Sequence, residues 1–490
     1  MQKQITLKVL PSVAADSIQL HTLAAQAAAV QPAQVTGYHT IKKSIDARSR
    51  QVWVQLTLRL FIDEPFTPFT PATLQLQDVH SAKHKAIVVG AGPAGLFAAL
   101  RLIEAGIQPI VLERGKDVRA RRRDLAAMNK EGIVNAESNY CFGEGGAGTY
   151  SDGKLYTRSS KRGDVQRILN IFVQYGADEK ILYEAHPHIG TNKLPHIITA
   201  IREGIEACGG KVLFQKKVTD FIIEKETVKG VKTGDGDALY GDAVILATGH
   251  SARDIFQLLH DKKIKIEAKP FALGVRVEHP QALIDSAQYH CDARSEFLPP
   301  ASYSLVQQVE GKGVFSFCMC PGGIMAPAAT APGEIVVNGW SPSKRNNPYA
   351  NSGMVVSIEE ADMQAFAKWG ALAAMHFQQS VEQKAFTAGG GGLVAPAQRL
   401  VDFTKNMTSS SLPDCSYLPG IQSADLRYVL PSFVHQSLQT AFKEFGKKLK
   451  GYYTNEAVLV ATESRTSSPV RIPRDVQTLQ HPQIKGLYPC

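Results

Sequence analysis

The feature that most constrains this chain is a short apolar run that leads directly into a glycine-rich turn. Residues 86–89, AIVV, have the continuous apolar character of a strand buried in a parallel sheet. GAGPAG follows at 90–95, and a helical pattern runs from Leu96 to Ala105. A second predicted strand, Pro109 to Leu112, ends in the acidic residue Glu113. This order of strand, turn, helix and strand predicts a dinucleotide-binding unit of the Rossmann type.

Each glycine of this turn has a separate role in binding a dinucleotide. Gly90 permits the tight turn, Gly92 lets backbone N–H groups approach a pyrophosphate, and Gly95 permits close helix packing. The helix N-terminus adds a partial positive charge that favours an anion. The carboxylate of Glu113 is expected to accept hydrogen bonds from both ribose hydroxyls and to clash with a 2′-phosphate. FAD or NAD is therefore favoured over NADP, and the alternative is a strand, turn and helix without a ligand.

Charge and cysteine content narrow the class of protein further. Lys and Arg exceed Asp and Glu by 54 to 45, which suits anionic ligands, but the longest basic run is Arg121–Arg123 and no nucleic-acid-binding motif occurs. Nucleic acid is therefore the minority interpretation. The seven cysteines contain no CxxC and the histidines no HExxH pattern, so we expect neither a disulfide framework nor a metal site, and a cytoplasmic location. The N-terminus lacks an apolar signal-peptide region and no stretch approaches the roughly 20 apolar residues of a membrane span.

The hydrophobic pattern divides the chain into three parts. They are residues 1–80, residues 81–255 completed by 476–490, and residues 256–475. The first predicts a β-α-β-β module with one polar face, and its clearest signal is the alternation from Val52 to Ile62. The second predicts the dinucleotide-binding domain, and the third an inserted α+β substrate domain with helices over 358–379 and 431–450. The expected fold class is α/β.

Longer stretches resemble a bacterial family of largely uncharacterised FAD-dependent dehydrogenases within the two-dinucleotide-fold flavoproteins. The matching stretches are VVGAGPAGLFAAL at 88–100, FGEGGAGTYSDGKLYTR at 142–158, LATGHSARD at 246–254, KPFALGVRVEHPQ at 269–281, FCMCPGG at 317–323, NGWSPSKRNNPYANSG at 338–353, APAQRLVDF at 395–403 and ESRTSSPVRIPRD at 463–475. The N-terminal module, including SIDAR at 44–48, is similar with less specificity. The resemblance implies a Rossmann-like FAD-binding domain and flavin-dependent redox activity, but it supplies no substrate.

The motifs and the resemblance together give a set of expected cofactor-binding residues. The set is Gly90, Gly92, Pro93, Ala94, Gly95, Glu113, Arg114, Gly145, Gly146, Ala147, Gly148, Ser151, Lys154, Val218, Ala247, Thr248 and Gly249. The amides of 145–148 are expected to approach the flavin, and Ser151 and Lys154 to reach a phosphate or the ring. The alternative is a hairpin whose glycines supply positive φ angles. The resemblance implies that Val218 contacts adenine through its backbone and that the turn at 247–249, followed by His250, passes the cofactor.

Four residues are candidates for catalysis: Lys154, Cys318, Cys320 and Arg465. On a strand, the two cysteines would face the same side, and a redox or nucleophilic thiol beside a flavin is one interpretation. The spacing of a disulfide reductase is missing, so small buried hydrophobic residues are the favoured interpretation. The segment 463–474 brings three arginines and four hydroxyls together, which suits a carboxylate or a phosphate. A solvated basic loop is the alternative for this segment. The run Arg119–Arg123 alternates with acidic residues and predicts an exposed helix face.

The resemblance also concerns the last residues. Gly486 to Cys490 look like the start of a final strand, after which the family pattern continues into GEGAGYAGG and a helix. That turn lies against the ribityl-pyrophosphate region in the family, so a chain that ends at Cys490 is expected to bind FAD more weakly.

The sequence therefore predicts an FAD-dependent oxidoreductase, a dehydrogenase that acts on a small molecule, with NADH or NADPH as candidate electron donor. Two alternatives belong to other classes. One is a flavoprotein that binds or acts on RNA or a protein partner through its N-terminal module, and the other is a non-catalytic binding protein. The protein supplies position, charge and exclusion of water, while the flavin carries the redox chemistry.

Overall fold

A computed structural model describes residues 1–157 and 163–490 of the chain, so Arg158, the last residue of the glycine-rich stretch 142–158, lies outside the described residues. The α/β class predicted from the sequence is confirmed. A five-stranded parallel sheet is combined with a seven-stranded, mainly antiparallel sheet and with a small N-terminal sheet. In the described part of the chain, no helix is both long and apolar enough to cross a membrane.

The N-terminal module is a three-stranded antiparallel sheet with one helical face. Its elements are β1 (Gln2–Val9), α1 (Pro11–Ala15), α2 (Ser17–Ala28), β2 (Val35–Asp46) and β3 (Trp53–Ile62), with strand order β1-β3-β2. Asp16 caps α2 because its carboxylate accepts hydrogen bonds from the N–H groups of Ile18 and Gln19. Leu58 and Leu60 are buried whereas Arg59 is exposed. The predicted β-α-β-β order and polar face are therefore confirmed.

The second part contains the parallel sheet that the apolar run at 86–89 predicted. Its elements are β4 (Lys85–Val89), α3 (Pro93–Glu104), β5 (Gln108–Leu112), α4 (Val118–Glu131), α5 (Val165–Gln174), α6 (Leu194–Ala207), β6 (Lys211–Leu213), β7 (Val218–Glu224), β8 (Thr227–Thr233), β9 (Ala238–Tyr240), β10 (Ala243–Leu246) and α7 (Arg253–Asp261). Val88 and Val111 pack with α3, α5 and α6 on one face, and Ile87 and Ile110 pack with β7, β8 and α7 on the other. Burial on both faces explains the continuous apolar strands.

The third part is built around the seven-stranded sheet. Its elements are β11 (Glu267–Ala268), β12 (Phe271–Pro280), α8 (Gln281–Tyr289), β13 (Val306–Val309), β14 (Lys312–Cys320), β15 (Ile324–Pro327), β16 (Val337–Trp340), β17 (Tyr349–Ile358), α9 (Ala373–Ala388), β18 (Ala395–Arg399), α10 (Leu400–Thr404), β19 (Ile421–Ser423), α11 (Ser432–Lys448), β20 (Val458–Glu463) and β21 (Val470–Arg471). The order of the large sheet is β13-β14-β17-β12-β20-β18-β19. The last strand, β22 (Leu487–Pro489), returns to the parallel sheet, whose order is β22-β10-β4-β5-β6.

One of the two helices predicted in the third part begins later than expected. The helix expected over 358–379 is a 3₁₀ segment from Glu360 to Leu372, and the α-helix itself runs from Ala373 to Ala388. Gly370 adopts a positive φ of 53° and interrupts the helical backbone there. The helix predicted over 431–450 agrees with α11 and, as expected, has lysines in its last turn.

Candidate functional site

A cleft opens where the strands β4, β5 and β10 end. It has a cavity volume of about 280 Å³ and is open to solvent. Its lining is Val89, Gly90, Gly92, Pro93, Ala94, Leu112, Glu113, Arg114, Cys141, Phe142, Gly146, Ala147, Gly148, Lys216, Lys217, Val218, Ala247, Thr248, Gly249, His250, Ser251, Ala252, Asp254, Ile255 and Cys490. The carboxyl ends of parallel strands are where α/β proteins bind their ligands, so this cleft is the candidate site.

The three glycines of the first turn differ in what surrounds them. A Cβ atom on Gly90 would lie 2.4 Å from the carbonyl oxygen of Ala247, and one on Gly95 would lie 1.9 Å from that of Gly90. Those two glycines are therefore required for the packing of β4, β10 and α3. A Cβ on Gly92 would come no closer than 4.0 Å to its nearest neighbour, the Cα of Gly146. The space beside Gly92 is therefore open at the N-terminus of α3.

Glu113 connects the glycine loops to each other. Its buried carboxylate accepts hydrogen bonds from the N–H groups of Ala91 at 2.9 Å, Gly115 at 2.9 Å and Gly143 at 2.8 Å. The sequence predicted only a ribose contact for this residue. Oε1 accepts two of the bonds and Oε2 one, so Oε2 retains more capacity for a ligand hydroxyl.

The second glycine loop is held from inside by Arg121, a residue that the sequence analysis assigned to an exposed helix face. This expectation was wrong. The side chain is fully buried and donates to the backbone carbonyls of Asn139, Tyr140, Glu144 and Gly146 at 2.8 to 2.9 Å. A planar guanidinium with five N–H groups is suited to bind several carbonyls of one curved loop.

The position of Arg121 on its helix contained the missing information. The buried residues of α4 are Val118, Arg121, Leu125 and Met128, which is the spacing of one helical face. The neighbouring Arg122 and Arg123 are exposed, as predicted for the run. The alternation of charges along the run hid the fact that one arginine shares the apolar face.

The backbone N–H groups at 145–148 were expected to approach the flavin, but most of them form hydrogen bonds within the protein. The N–H of Gly145 donates to Ala91 O at 2.8 Å, that of Gly146 to Gly143 O at 2.8 Å and that of Gly148 to Gly145 O at 3.1 Å. Three of the amides expected to approach the flavin therefore already donate within the protein. Gly146, Ala147 and Gly148 still line the cleft, and Gly145 joins this loop to the first turn.

Most of the expected cofactor-binding residues line the cleft. Those that do are Gly90, Gly92, Pro93, Ala94, Glu113, Arg114, Gly146, Ala147, Gly148, Val218, Ala247, Thr248 and Gly249. Among the described residues, Gly95, Gly145, Ser151 and Lys154 lie outside the lining. The Ser151 hydroxyl donates to Gly148 O at 2.7 Å and accepts from the N–H of Gly153, so it shapes the loop.

Two residues of the cleft carry buried polar atoms with no partner in the described structure. They are Nε2 of His250 and the hydroxyl of Ser251. Burial and the charge of Arg465 lower the pKa of His250 to about 4, so its imidazole is neutral at physiological pH. Together with the open N-terminus of α3 and with Lys216 and Lys217 in the cleft wall, these polar atoms fit an anionic dinucleotide such as FAD.

Arg465 takes part in a buried ion network next to the cleft. Its guanidinium binds both carboxylate oxygens of Glu382, at 2.8 and 3.0 Å. Arg253, which begins α7 just after the cleft residues, contacts Glu382 at 2.7 Å and Glu334 at 2.8 Å. Although burial opposes ionisation, Arg465 and Arg253 lower the pKa of Glu382 to about 2. The network joins α7 to the third part. For the segment of Arg465 the sequence left a ligand contact and a solvated basic loop open, and the buried position of Arg465 excludes the solvated loop for this residue.

The remaining catalytic candidates lie close together. The ammonium group of Lys154 is 3.4 Å from the sulfur of Cys320 and 3.8 Å from that of Cys318. Cys320 is buried, as the favoured interpretation requires, whereas Cys318 is exposed. In the described residues no group of three or more His, Cys, Asp or Glu side chains could hold a metal ion.

Three family models match the chain. A "FAD-dependent protein, C-terminal domain-like" model covers residues 270–466, a "FAD binding domain" model covers 83–128, and a domain of unknown function covers 1–61. The second match contains the first glycine turn, Glu113 and Arg121.

The chain is also similar to individual proteins and solved structures. An uncharacterised protein of Clostridium beijerinckii is 38% identical over 467 residues, which cover 92% of this chain and 86% of that protein. A thiamine thiazole synthase of Aeropyrum pernix is 28% identical over 34% of this chain and 54% of that enzyme. Among solved structures, the tetracycline destructase Tet(51) is 14% identical and covers 60% of this chain and 66% of its own, with a TM-score of only 0.27.

We expect Arg121→Lys to destabilise the second glycine loop. A lysine keeps the charge but cannot donate to four carbonyls at once, so at least two buried acceptors lose a donor. The free energy of unfolding should fall by about 3 kcal/mol. Thermal unfolding and hydrogen exchange of the amides at 139–149 would measure this. Arg123→Lys on the exposed face of α4 is the matched control, and equal stability of the two variants would argue against the role of Arg121.

We expect Glu113→Ala to lower stability even without a ligand. The substitution leaves three buried N–H groups unpaired, each at a cost of about 1 to 3 kcal/mol. Thermal unfolding of the ligand-free protein is the measurement, and Glu131→Ala at the exposed end of α4 is the control. A variant with unchanged stability and reduced FAD affinity would contradict this expectation and return Glu113 to a purely ligand-binding role.

Proposed function

Because this chain belongs to a family of largely uncharacterised bacterial FAD-dependent oxidoreductases, we propose that it is a dehydrogenase that oxidises a small molecule with FAD bound in the cleft at 89–255. The observation that carries the proposal is the open space beside Gly92 at the N-terminus of α3. Elsewhere in this turn a Cβ atom would collide with backbone, so the opening is specific to the position that a pyrophosphate must approach.

Different residues of the cleft would bind different parts of FAD. The first amides of α3, which has no side-chain cap, would bind the pyrophosphate, and its partial positive charge favours the anion. The Oε2 atom of Glu113 would accept from a ribose hydroxyl. Val218 lies in the same wall and would border the adenine, while Gly146 to Gly148 and the turn at 247–249 would border the flavin side of the cleft.

When bound, the flavin supplies the capacity to accept a hydride or two electrons from a substrate. The chain itself orients the reactants and excludes water. His250, neutral at physiological pH, would present Nε2 as a hydrogen-bonding group, since this atom is buried and without a partner. The ion network of Arg253, Glu382 and Arg465 would hold the segment after His250 in place.

An action on RNA or on a protein partner through residues 1–80 gains no support from the comparisons, since the family model that matches residues 1–61 describes a domain of unknown function. A small-molecule substrate agrees better with the size of the cleft. The single glycine fingerprint at 90–95 is assigned to FAD, so we propose the substrate, and not NADH or NADPH, as the source of electrons.

We expect Gly92→Val to abolish FAD binding without unfolding the protein. The backbone of Gly92 is extended, with φ of −72°, so valine fits the conformation but fills the approach to the amides. Loss of two bonds to a charged group costs about 3 kcal/mol, or about a hundredfold in affinity. Titration of the purified protein with FAD, followed by fluorescence quenching, measures it. Gly392→Val is the control, because a Cβ there meets open space. Undiminished FAD binding by Gly92→Val would refute the site.

We also expect the FAD-loaded protein to remain oxidised when mixed anaerobically with NADH or NADPH. The measurement is the flavin absorbance over minutes, with dithionite as a positive control for reduction. Rapid bleaching by either nucleotide would contradict the dehydrogenase assignment and identify a reductase, while leaving the FAD site intact.

A further inference from the structure

Cys318 lies in an irregularity of β14. The pairing of β14 with β17 shifts register between Phe317 and Cys320, which is a β-bulge. Cys318 has a positive φ of 48°, an uncommon conformation for a residue with a side chain. Met319 packs into the core while Cys318 is exposed. Bulges commonly redirect a side chain next to a functional site, and here the redirected side chain is a thiol.

Two cations face the pair of thiols. The ammonium of Lys154 contacts both sulfurs, at 3.4 and 3.8 Å. The fully buried guanidinium of Arg276, on β12, is 3.5 Å from the sulfur of Cys320 and 2.9 Å from Cys318 O. Each of the two cations also forms an ion pair with a carboxylate. Asp152 is 3.3 Å from Lys154, and Glu463, on β20, is 2.6 Å from Arg276. Neither sulfur sits in an apolar environment.

We propose that Cys318 and Cys320 form a redox-active thiol pair that reacts with hydroperoxides. Cys318 is the attacking thiolate and the buried Cys320 is the resolving thiol. An exposed thiol stabilised by nearby cations, with a second thiol beside it, is the arrangement of redox-sensitive cysteines. This activity lies outside the FAD cleft, whose lining contains neither residue, and it goes beyond the proposed dehydrogenase function.

The chemistry balances without a further oxidant. The thiolate of Cys318 attacks one oxygen of the hydroperoxide, the O–O bond breaks, and the leaving oxygen departs as alkoxide or hydroxide and takes a proton from water. Cys318 becomes a sulfenic acid. The thiol of Cys320 then attacks that sulfur, a disulfide forms and water leaves. The peroxide is reduced by two electrons and the two thiols lose two electrons and become the disulfide. An external dithiol reduces the disulfide to the two thiols again.

The surroundings of the pair shift the pKa values of the two thiols in opposite directions. The neighbouring Cys320 thiol and the charges of Lys154 and Arg276 hold the pKa of Cys318 well below its ordinary value. Burial and the neighbouring Cys318 raise the pKa of Cys320. Cys318 is therefore the more acidic thiol of the pair, which is the order that the two steps require.

The chain contains an internal control for reactivity. Cys490 is also exposed, but desolvation of its sulfur raises the pKa of the thiol. At neutral pH and limiting iodoacetamide, we expect Cys318 to be alkylated at least about tenfold faster than Cys490, because a pKa lower by one unit exposes about ten times more thiolate. Peptide-resolved mass spectrometry of the full chain provides both rates in one sample. Equal rates would overturn the proposal.

Two substitutions, one that removes the charge of Lys154 and one that keeps it, test the role of this residue. Lys154→Gln should slow the alkylation of Cys318 about tenfold and leave that of Cys490 unchanged, while Lys154→Arg should restore most of the rate. A merely structural role for Lys154 would make the thiol more accessible and raise the rate in the glutamine variant. Thermal unfolding of both variants shows whether they remain folded.

The product of oxidation tests the resolving step. One equivalent of hydrogen peroxide should give a Cys318–Cys320 disulfide that dithiothreitol reverses. In Cys320→Ser, the same treatment should instead leave a sulfenic acid on Cys318 that dimedone traps. Oxidation of Cys318 to a sulfinic acid in the unmodified chain, without the disulfide, would refute the pair. Because FAD titration of Cys318→Ser reports on the cleft separately, failure here is distinguishable from failure of the proposed dehydrogenase function.

Discussion

The guanidinium of Arg121 is the interaction on which the candidate site depends. It lies below the second glycine loop and satisfies four carbonyls that a curved backbone turns inward. Glu113 has the complementary role, because its carboxylate accepts hydrogen bonds from the N–H groups of three segments. A buried donor group and a buried acceptor group thus replace the regular hydrogen bonds that such loops cannot form. The apolar packing of the sheet alone would leave these loops without a defined shape.

A second set of buried charges connects the two large parts of the molecule. Glu382 belongs to α9, Arg465 follows β20, and Arg253 begins α7 beside the cleft. Buried ion pairs contribute little net stability, but removing one partner is costly. Here they connect α7, beside the cleft, to α9 and to the segment after β20.

Patterns with a physical period could be predicted from the sequence, and individual polar partners could not. The strands β3 and β4, the turn at 90–95 and the helix α11 follow from alternation, glycine spacing and helical periodicity. Residues such as Arg276 and Glu463 were missed, because a charged residue in a strand does not reveal the distant group that it pairs with. Arg121 was missed because the neighbouring charges of its run hid its place on the apolar face of α4. The helix over 358–379 was placed too early, since its pattern ignored the break at Gly370. The proximity of Lys154 to Cys318 and Cys320 arises from residues about 165 positions apart, which no local pattern contains.

The cleft is assembled from five separate stretches of chain between residues 89 and 255, with a contribution from the end of the chain. No single stretch forms a binding surface alone, so the pocket cannot exist before the parallel sheet has closed. Contacts of this long sequence separation form late and slowly. A ligand that binds only the finished cleft therefore stabilises the entire folded state by mass action. In a cell, the supply of cofactor would then control how much of this protein survives proteolysis as well as how much of it is active.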